Sequence, residues 1–497
     1  MPRFLLVTAD SELSVTNRPT AVVIVAGEQA PAAEAEMTRL PRFLAQAILT
    51  LALLTSIASA QNSAYTAYIL RSPSLAQAEA ACQTYGLTLV STLRSPDTYL
   101  VEVSSAVPPE VLQSWVQHDP NVNNLQPDRQ AKVPHGSLMN PYIPTLPVTD
   151  YVTDGHLVQL YGTSAWVGYA QQPAMYSTNA ADALNHNITG TGIVAVIDTG
   201  IDAGNPVLAP VVVPGYDFTQ NAPGYASDVE DLDQRTSGIL HQRTSGILHG
   251  YQAVQLNAYA TAILDSDTAT ALVGLPIPND FGHGTMVAGL IHLVAPTAKI
   301  MPLKAFNADG TANTSDIVRA IYYAVDNGAK VINMSFGLPE FSVALMRAVD
   351  YATRNGVICI ASVGNDGQNA LVYPAAFGNV IGVASVGQQN QMSAFSNFGP
   401  DLVTIAAPGE GLVTTYPGNH YAAVWGTSFS SAIVSGAVID MLSSQNVDPH
   451  IAVLLRVTDI RRAMSKATSC GTAGSLGAGC LDFDQAEQFL HGTNFPH

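Results

Sequence analysis

Residues 192–198 read GIVAVID, and four later runs share their character: KIMPLKAF (299–306), KVINMSF (330–336), VICIASV (357–363) and VIGVASV (380–386). None alternates strictly between apolar and polar residues. A strand with one face in water alternates, whereas a strand covered on both faces has no reason to. Between the runs lie HGTMVAGLIHLVA, TSDIVRAIYYAVDNG and SVALMRAVDYATRNG. The last two open on Thr or Ser and close on Asn-Gly, as capped helices do. Ile317, Ile321 and Val325 recur at helical spacing. The fold class that follows is α/β: a three-layer arrangement with a parallel sheet between helices on both faces. Functional groups in such a sheet gather at the C-terminal ends of its strands.

Residues 64–133 carry a different pattern. AYTAYIL, LTLVSTL, TYLVEVS and VNNLQPDRQ are strand candidates, and SLAQAEAACQTYG and PPEVLQSWVQHD are helix candidates. The order β-α-β-β-α-β predicts a small α+β, ferredoxin-like unit within residues 61–133. Residues 134–160, rich in Pro, Gly and polar groups, read as a linker, and 161–497 as the larger α/β domain.

Before these domains, Met37–Ala60 reads MTRLPRFLAQAILTLALLTSIASA. Two arginines precede an apolar stretch that ends in Ala-Ser-Ala, the layout of a secretory signal peptide. The stretch is shorter than the roughly 20 residues of a membrane-spanning helix. Translation is therefore expected to start at Met37, with residues 1–36 a gene-model artefact and Gln61 or a later residue opening the exported chain. The localisation that follows is secreted or periplasmic, with no membrane span once the signal is removed.

Charge narrows the partners. Only 12% of the 497 residues are charged and the formal net charge is −18, which disfavours nucleic acid and anionic lipid. The cysteines form no C-x-x-C pair and no zinc spacing. Cys470 and Cys480 flank a Gly-rich loop that a disulfide can close in an oxidising compartment. Cys359 lies in an apolar run and reads as a buried thiol, and Cys82 has no evident partner. QRTSGILH occurs twice in succession, at 234–241 and 242–249. Two copies are too few for a solenoid and read as a duplicated surface loop.

Four residues carry candidate chemistry. Asp198 ends GIVAVID inside Asp198-Thr199-Gly200; alone it equally suggests half of an aspartic peptidase, but no second D-T-G or D-S-G exists. His283, in Gly282-His283-Gly284-Thr285, opens a helical stretch, and the zinc-peptidase pattern H-E-x-x-H is absent. Ser428, in Gly426-Thr427-Ser428-Phe429-Ser430-Ser431, precedes the stretch AIVSGAVIDML, where a serine is either a cap or a nucleophile at a positive helix end. Asn365 follows VICIASV, where its amide either closes a turn or faces a developing oxyanion.

VIDTGID around Asp198, GHGTMVAG around His283, NMSFG at 333–337, SVGNDG around Asn365 and GTSFSSAIVSG around Ser428 resemble the subtilisin-like serine peptidases of the subtilase family. GAGCLD at 477–482 is similar to that family's closing motif, and the resemblance covers about Trp166 to Leu490. It implies that Ser428 attacks a peptide carbonyl, with His283 as general base and then acid, and that Asp198 orients His283. It implies an oxyanion hole from Asn365 and the Ser428 backbone N–H. Ser335, Phe336 and Gly337, with Ser362, Val363 and Gly364, are implied to line the substrate, and Val372 to narrow the floor of the pocket for the residue before the cut. The partners implied are protein or peptide substrates and the chain's own 61–133 unit, resembling a propeptide that chaperones and inhibits.

No cofactor is required by such chemistry. Relatives often bind structural calcium, and Asp228, Glu230, Asp231 and Asp233 offer oxygen atoms, but they read as a solvated acidic loop and no metal residue is assigned. The chain departs from the family in the 85-residue separation of Asp198 and His283 and in Ala432-Ile433, where Pro and His are usual. Two other functions compete: a catalytically silent peptide binder, and an esterase or amidase. The latter is disfavoured because the G-x-S-x-G elbow is absent around Ser428.

Overall fold

The computed structural model describes residues 65–94, 97–133, 155–185, 189–232, 254–257, 261–263, 278, 280–444, 453–468, 470 and 475–491. All of them lie in one compact unit, Ala64–His497. The expected signal peptide, the duplicated octapeptide, Asp233 and most of the 134–160 linker lie outside the described residues.

The chain enters as β1 (Tyr65–Arg71), α1 (Leu75–Tyr85), β2 (Leu87–Thr92), β3 (Thr98–Val107), α2 (Pro109–Val116) and β4 (Asn124–Pro127). Their sheet runs β2-β3-β1-β4 with antiparallel pairing, the α+β unit expected from the pattern. Ser74 caps α1 by accepting from Gln77 N–H, and Gly86 stops it in the left-handed region. A small core of Tyr68, Leu70, Leu112 and Leu125 holds the unit together.

This unit continues into the larger domain. After β4 comes β5 (Gln130–Lys132), which pairs with a strand 181 residues further on. A hairpin of β6 (Leu157–Leu160) and β7 (Thr163–Trp166) leads to the short helices α3 (Val167–Ala170), α4 (Pro173–Ser177) and α5 (Ala180–Asn185). Then follow β8 (Ile193–Asp198), β9 (Gly215–Asp217), β10 (Ala222–Gly224), β11 (Val254–Asn257), β12 (Thr261–Ile263) and α6 (His283–Val294). The next group is β13 (Lys299–Lys304), β14 (Thr311–Asn313), α7 (Thr314–Asp326), β15 (Ala329–Met334), α8 (Val343–Arg354), β16 (Ile358–Ser362) and β17 (Val380–Val386). The chain closes with β18 (Ile405–Pro408), β19 (Leu412–Tyr416), β20 (His420–Val424), α9 (Thr427–Ser444), α10 (Val453–Met464) and α11 (Phe483–His491).

The main sheet runs β10-β9-β13-β8-β15-β16-β17-β18. Every neighbouring pair is parallel except β10 with β9. Its strands lack alternation because both faces are covered. On β8, Val194 and Val196 join the core that contains α6 and α9, while Ala195 and Ile197 join the core under α7 and α8. On β16, Ile358 and Ile360 divide from Cys359 and Ala361 in the same way. Helix α6 is buried along its whole length, so its apolar residues form no single stripe.

Strand β8 lies between β13 and β15, although the chain visits β13 first and crosses β8 to reach β15. In α/β sheets ligands gather at the C-terminal strand ends beside such a reversal, and Asp198 sits at that end of β8. Cys470 and Cys480 form a disulfide, and Cys480 bridges both Thr468 and Ala406 beside β18. Cys82 and Cys359 are free and buried. Among the described residues no helix is long and apolar enough to cross a membrane.

Candidate active site

Asp198 and His283 meet at that strand end. Asp198 is the last residue of β8 and His283 the first of α6, and His283 Nδ1 lies 2.8 Å from Asp198 Oδ1. Both are almost fully buried. The approach is close because the second residue of the helix is glycine: a Cβ on Gly284 would lie 2.0 Å from the Gly200 carbonyl oxygen and 3.2 Å from Asp198 Cβ. Thr199 completes the join. Its N–H donates to Asp198 Oδ1 (2.8 Å), and its Oγ1 accepts from Gly284 N–H (3.1 Å).

Burial alone would lower the pKa of His283 by disfavouring the cation. The Asp198 charge, its hydrogen bond and the charge of Asp280 outweigh that effect and raise it above the usual 6.5. Nδ1 thus faces a carboxylate, which leaves Nε2 as the ring nitrogen for a second partner.

Ser428 sits in the first turn of α9, whose start is bound to Asn365. Asn365 Oδ1 accepts from Thr427 N–H (2.9 Å) and Thr427 Oγ1 (2.8 Å). With its oxygen so committed, the amide is fixed and its Nδ2 end is the donor. Ser428 Oγ donates to the Ser335 carbonyl (3.3 Å), and Ser335 Oγ donates to the Ser428 carbonyl (3.1 Å). Phe429, next to Ser428, lies with its ring 5.5 Å from that of His283. The Phe429 contact thus sets the start of α9 beside His283, at the carboxyl edge of the sheet.

The other expected residues flank this centre through their backbones. Ser335–Gly337 leave the end of β15, and Ser362–Gly364 the end of β16. The Phe336 side chain is buried against Phe306 (5.0 Å), so only its main chain can border a ligand. Gly337 N–H donates to Lys132 O (3.0 Å), and Lys132 N–H donates to Gly337 O (3.3 Å). Val133 N–H donates to Gly310 O (2.9 Å), and β5 pairs antiparallel with β14. Residues 130–133 thus run as an extended strand between β14 and Gly337. Val372 stands between the flanking segments: a Cβ on Gly337 would lie 2.4 Å from its Cγ1, and one on Gly364 3.7 Å from its Cγ2.

Residues 190–480 match the Subtilase family, Peptidase_S8. The chain belongs to the subtilase family. Similar proteins include the thermophilic serine proteinase of Bacillus sp. (strain AK1), 32% identical over 60% of this chain and 64% of that one. Subtilisin DY of Bacillus licheniformis is 36% identical over 42% of this chain and 78% of its own. Thermitase of Thermoactinomyces vulgaris is 32% identical over 51% of this chain and 75% of its own. The subtilase thus spans under two thirds of the first of these relatives and about three quarters of the others. Fervidolysin from Fervidobacterium pennivorans, described as a keratinolytic enzyme related to subtilisin, shares the fold. It superposes with a TM-score of 0.61 at 20% identity, covering 86% of this chain and 62% of that one.

The acidic segment differs from its reading as a solvated loop. Asp228 is fully buried and its Oδ2 accepts from Thr285 Oγ1 (2.7 Å), while Asp231 Oδ2 accepts from Lys304 Nζ (2.5 Å). Of the three described acids only Glu230 is exposed, and among the described residues no group of three acidic, His or Cys side chains converges. Sequence reading also passed over Thr199, Thr427 and Lys304. The signal for Lys304 was available: a lysine inside the apolar run KIMPLKAF needs a buried partner.

Gly284→Ala tests the close approach of α6. The added methyl must push the Gly200 carbonyl away, at an expected cost of about 1–3 kcal/mol, read as a lower Tm by circular dichroism. An unchanged Tm would show that the helix start does not press on that carbonyl.

Proposed function

We propose that this subtilase is an exported serine endopeptidase, made as a zymogen, whose nucleophile is Ser428. The observation that carries the reading is the buried Asp198–His283 hydrogen bond opposite a serine at a helix N-terminus. Ser428 Oγ turns from the Ser335 carbonyl toward His283 Nε2 and gives up its proton as it attacks the scissile carbonyl. His283 then passes that proton to the leaving amine, while Asp198 holds the ring and stabilises its cation. The oxyanion is received by Asn365 Nδ2 and the Ser428 N–H, at the positive end of α9. No step needs a metal or cofactor.

The substrate runs as an extended strand between β14 and Gly337, the course that residues 130–133 follow. The 61–133 unit is accordingly read as an inhibitory propeptide. Its tail holds the channel, while Asp128 accepts from Ser315 N–H (2.8 Å) at the start of α7 and Gln126 Oε1 from Val343 N–H (3.0 Å) at the start of α8. Export is supported by the signal-like segment 37–60 and by a disulfide, which oxidising compartments favour.

A fluorophosphonate probe is expected to label the processed protein and not Ser428→Ala, and Asn365→Ala is expected to lower kcat on casein about 10²–10³-fold. A processed wild-type protein that resists the probe would sink the reading and favour a peptide-binding role.

Val372 leaves little depth between its two walls, so residues with small and medium apolar side chains are expected before the cut. A peptide-library profile tests this, with Val372→Gly shifting preference toward Phe and Tyr. A wild-type preference for Arg or Lys would overturn it.

A further inference from the structure

We propose that Lys304 is a positioning residue for the Asp198–His283 pair, acting through Thr199 and paired with Asp231; the inference rests on the peptidase reading above. Lys304 is the last residue of β13, in register with Asp198 on the adjacent parallel strand. Its side chain is fully buried. Nζ donates to the Thr199 carbonyl and to Asp231 Oδ2, both at 2.5 Å.

Thr199 is the residue through which this contact reaches the site. Its N–H binds Asp198 Oδ1, its Oγ1 receives the Gly284 N–H beside His283, and its carbonyl is held by Lys304. The same strand end holds Asp198 directly, since Ala305 N–H and Phe306 N–H both donate to the Asp198 carbonyl (3.1 and 3.2 Å). Asp198 Oδ2 is buried with no hydrogen-bond partner. A carboxylate in that state gains from a fixed positive charge on the neighbouring strand.

Stability alone does not account for an ammonium here. A buried ion pair is seldom better for stability than apolar side chains of equal volume. What methionine lacks is a donor for Thr199 and a charge beside Asp198. Asp231 offsets that charge and ties down the turn 226–232. In that turn Asp228 binds Thr285, whose Oγ1 also accepts from Asp202 N–H (2.8 Å).

The charge makes the inference testable, because a purely structural pair moves no titration. The other ionisable groups around it are Asp202, Asp228 and Asp217, with Asp309 beside Asp231 and Asp280 beside His283; all are kept. The acid limb of kcat/KM reports the imidazolium of His283, which must lose its proton to act as base. Lys304→Met removes a positive charge and is expected to move that limb about 0.5–1 pH unit higher, with a fall in kcat. Asp231→Asn exposes the lysine charge and is expected to move the limb lower. Limbs that stay in place in folded, active variants would overturn the proposal. Should Lys304→Met fail to fold, Asp231→Asn decides alone, an unmoved limb counting against it. Wild-type protein without turnover would overturn the peptidase reading and this inference together.

Discussion

An imidazole and a carboxylate 2.8 Å apart, both out of water, are costly to assemble. The larger domain is arranged to meet that cost. A parallel strand ends on the carboxylate, a wholly buried helix begins on the imidazole, and a glycine lets the two backbones nearly touch. The strand order reverses around β8, which sets the pair at the carboxyl edge of the sheet with the Phe429 ring beside the imidazole. Asn365 and Ser428 complete the arrangement from the other side, fixed by one threonine that ties β16 to the start of α9.

Most of this was legible in the chain because it follows from short local patterns. Runs such as VICIASV have no polar face, which requires cover on both sides, and the two cores dividing Ile358 and Ile360 from Cys359 and Ala361 supply it. The α+β unit was readable from the order of its six elements. Asp198, His283 and Ser428 are each ambiguous alone and become specific only as an ordered set carried on one sheet edge.

What escaped reading depends on contacts between distant segments. Asp228 and Asp231 look like solvated acids because acidic residues in a loop usually are. Only the fold brings Lys304 and Thr285 to them across 73 and 57 residues of chain. Phe336 likewise adjoins Gly337, where residues 130–133 pair, yet turns its ring into the core. The pairing of β5 with β14 joins two stretches with no complementary pattern, since a single edge strand is specified by geometry more than by composition.

Gln126 and Asp128 have a consequence for how long the fold lasts. They supply acceptors at the first turns of α7 and α8 from outside the helices themselves. Separating the two parts of the chain would return those helix starts to water, at roughly 1 kcal/mol apiece, and would uncover the apolar surface beneath. The larger part alone would therefore hold its native state by a smaller margin, and would open more often, than the joined chain.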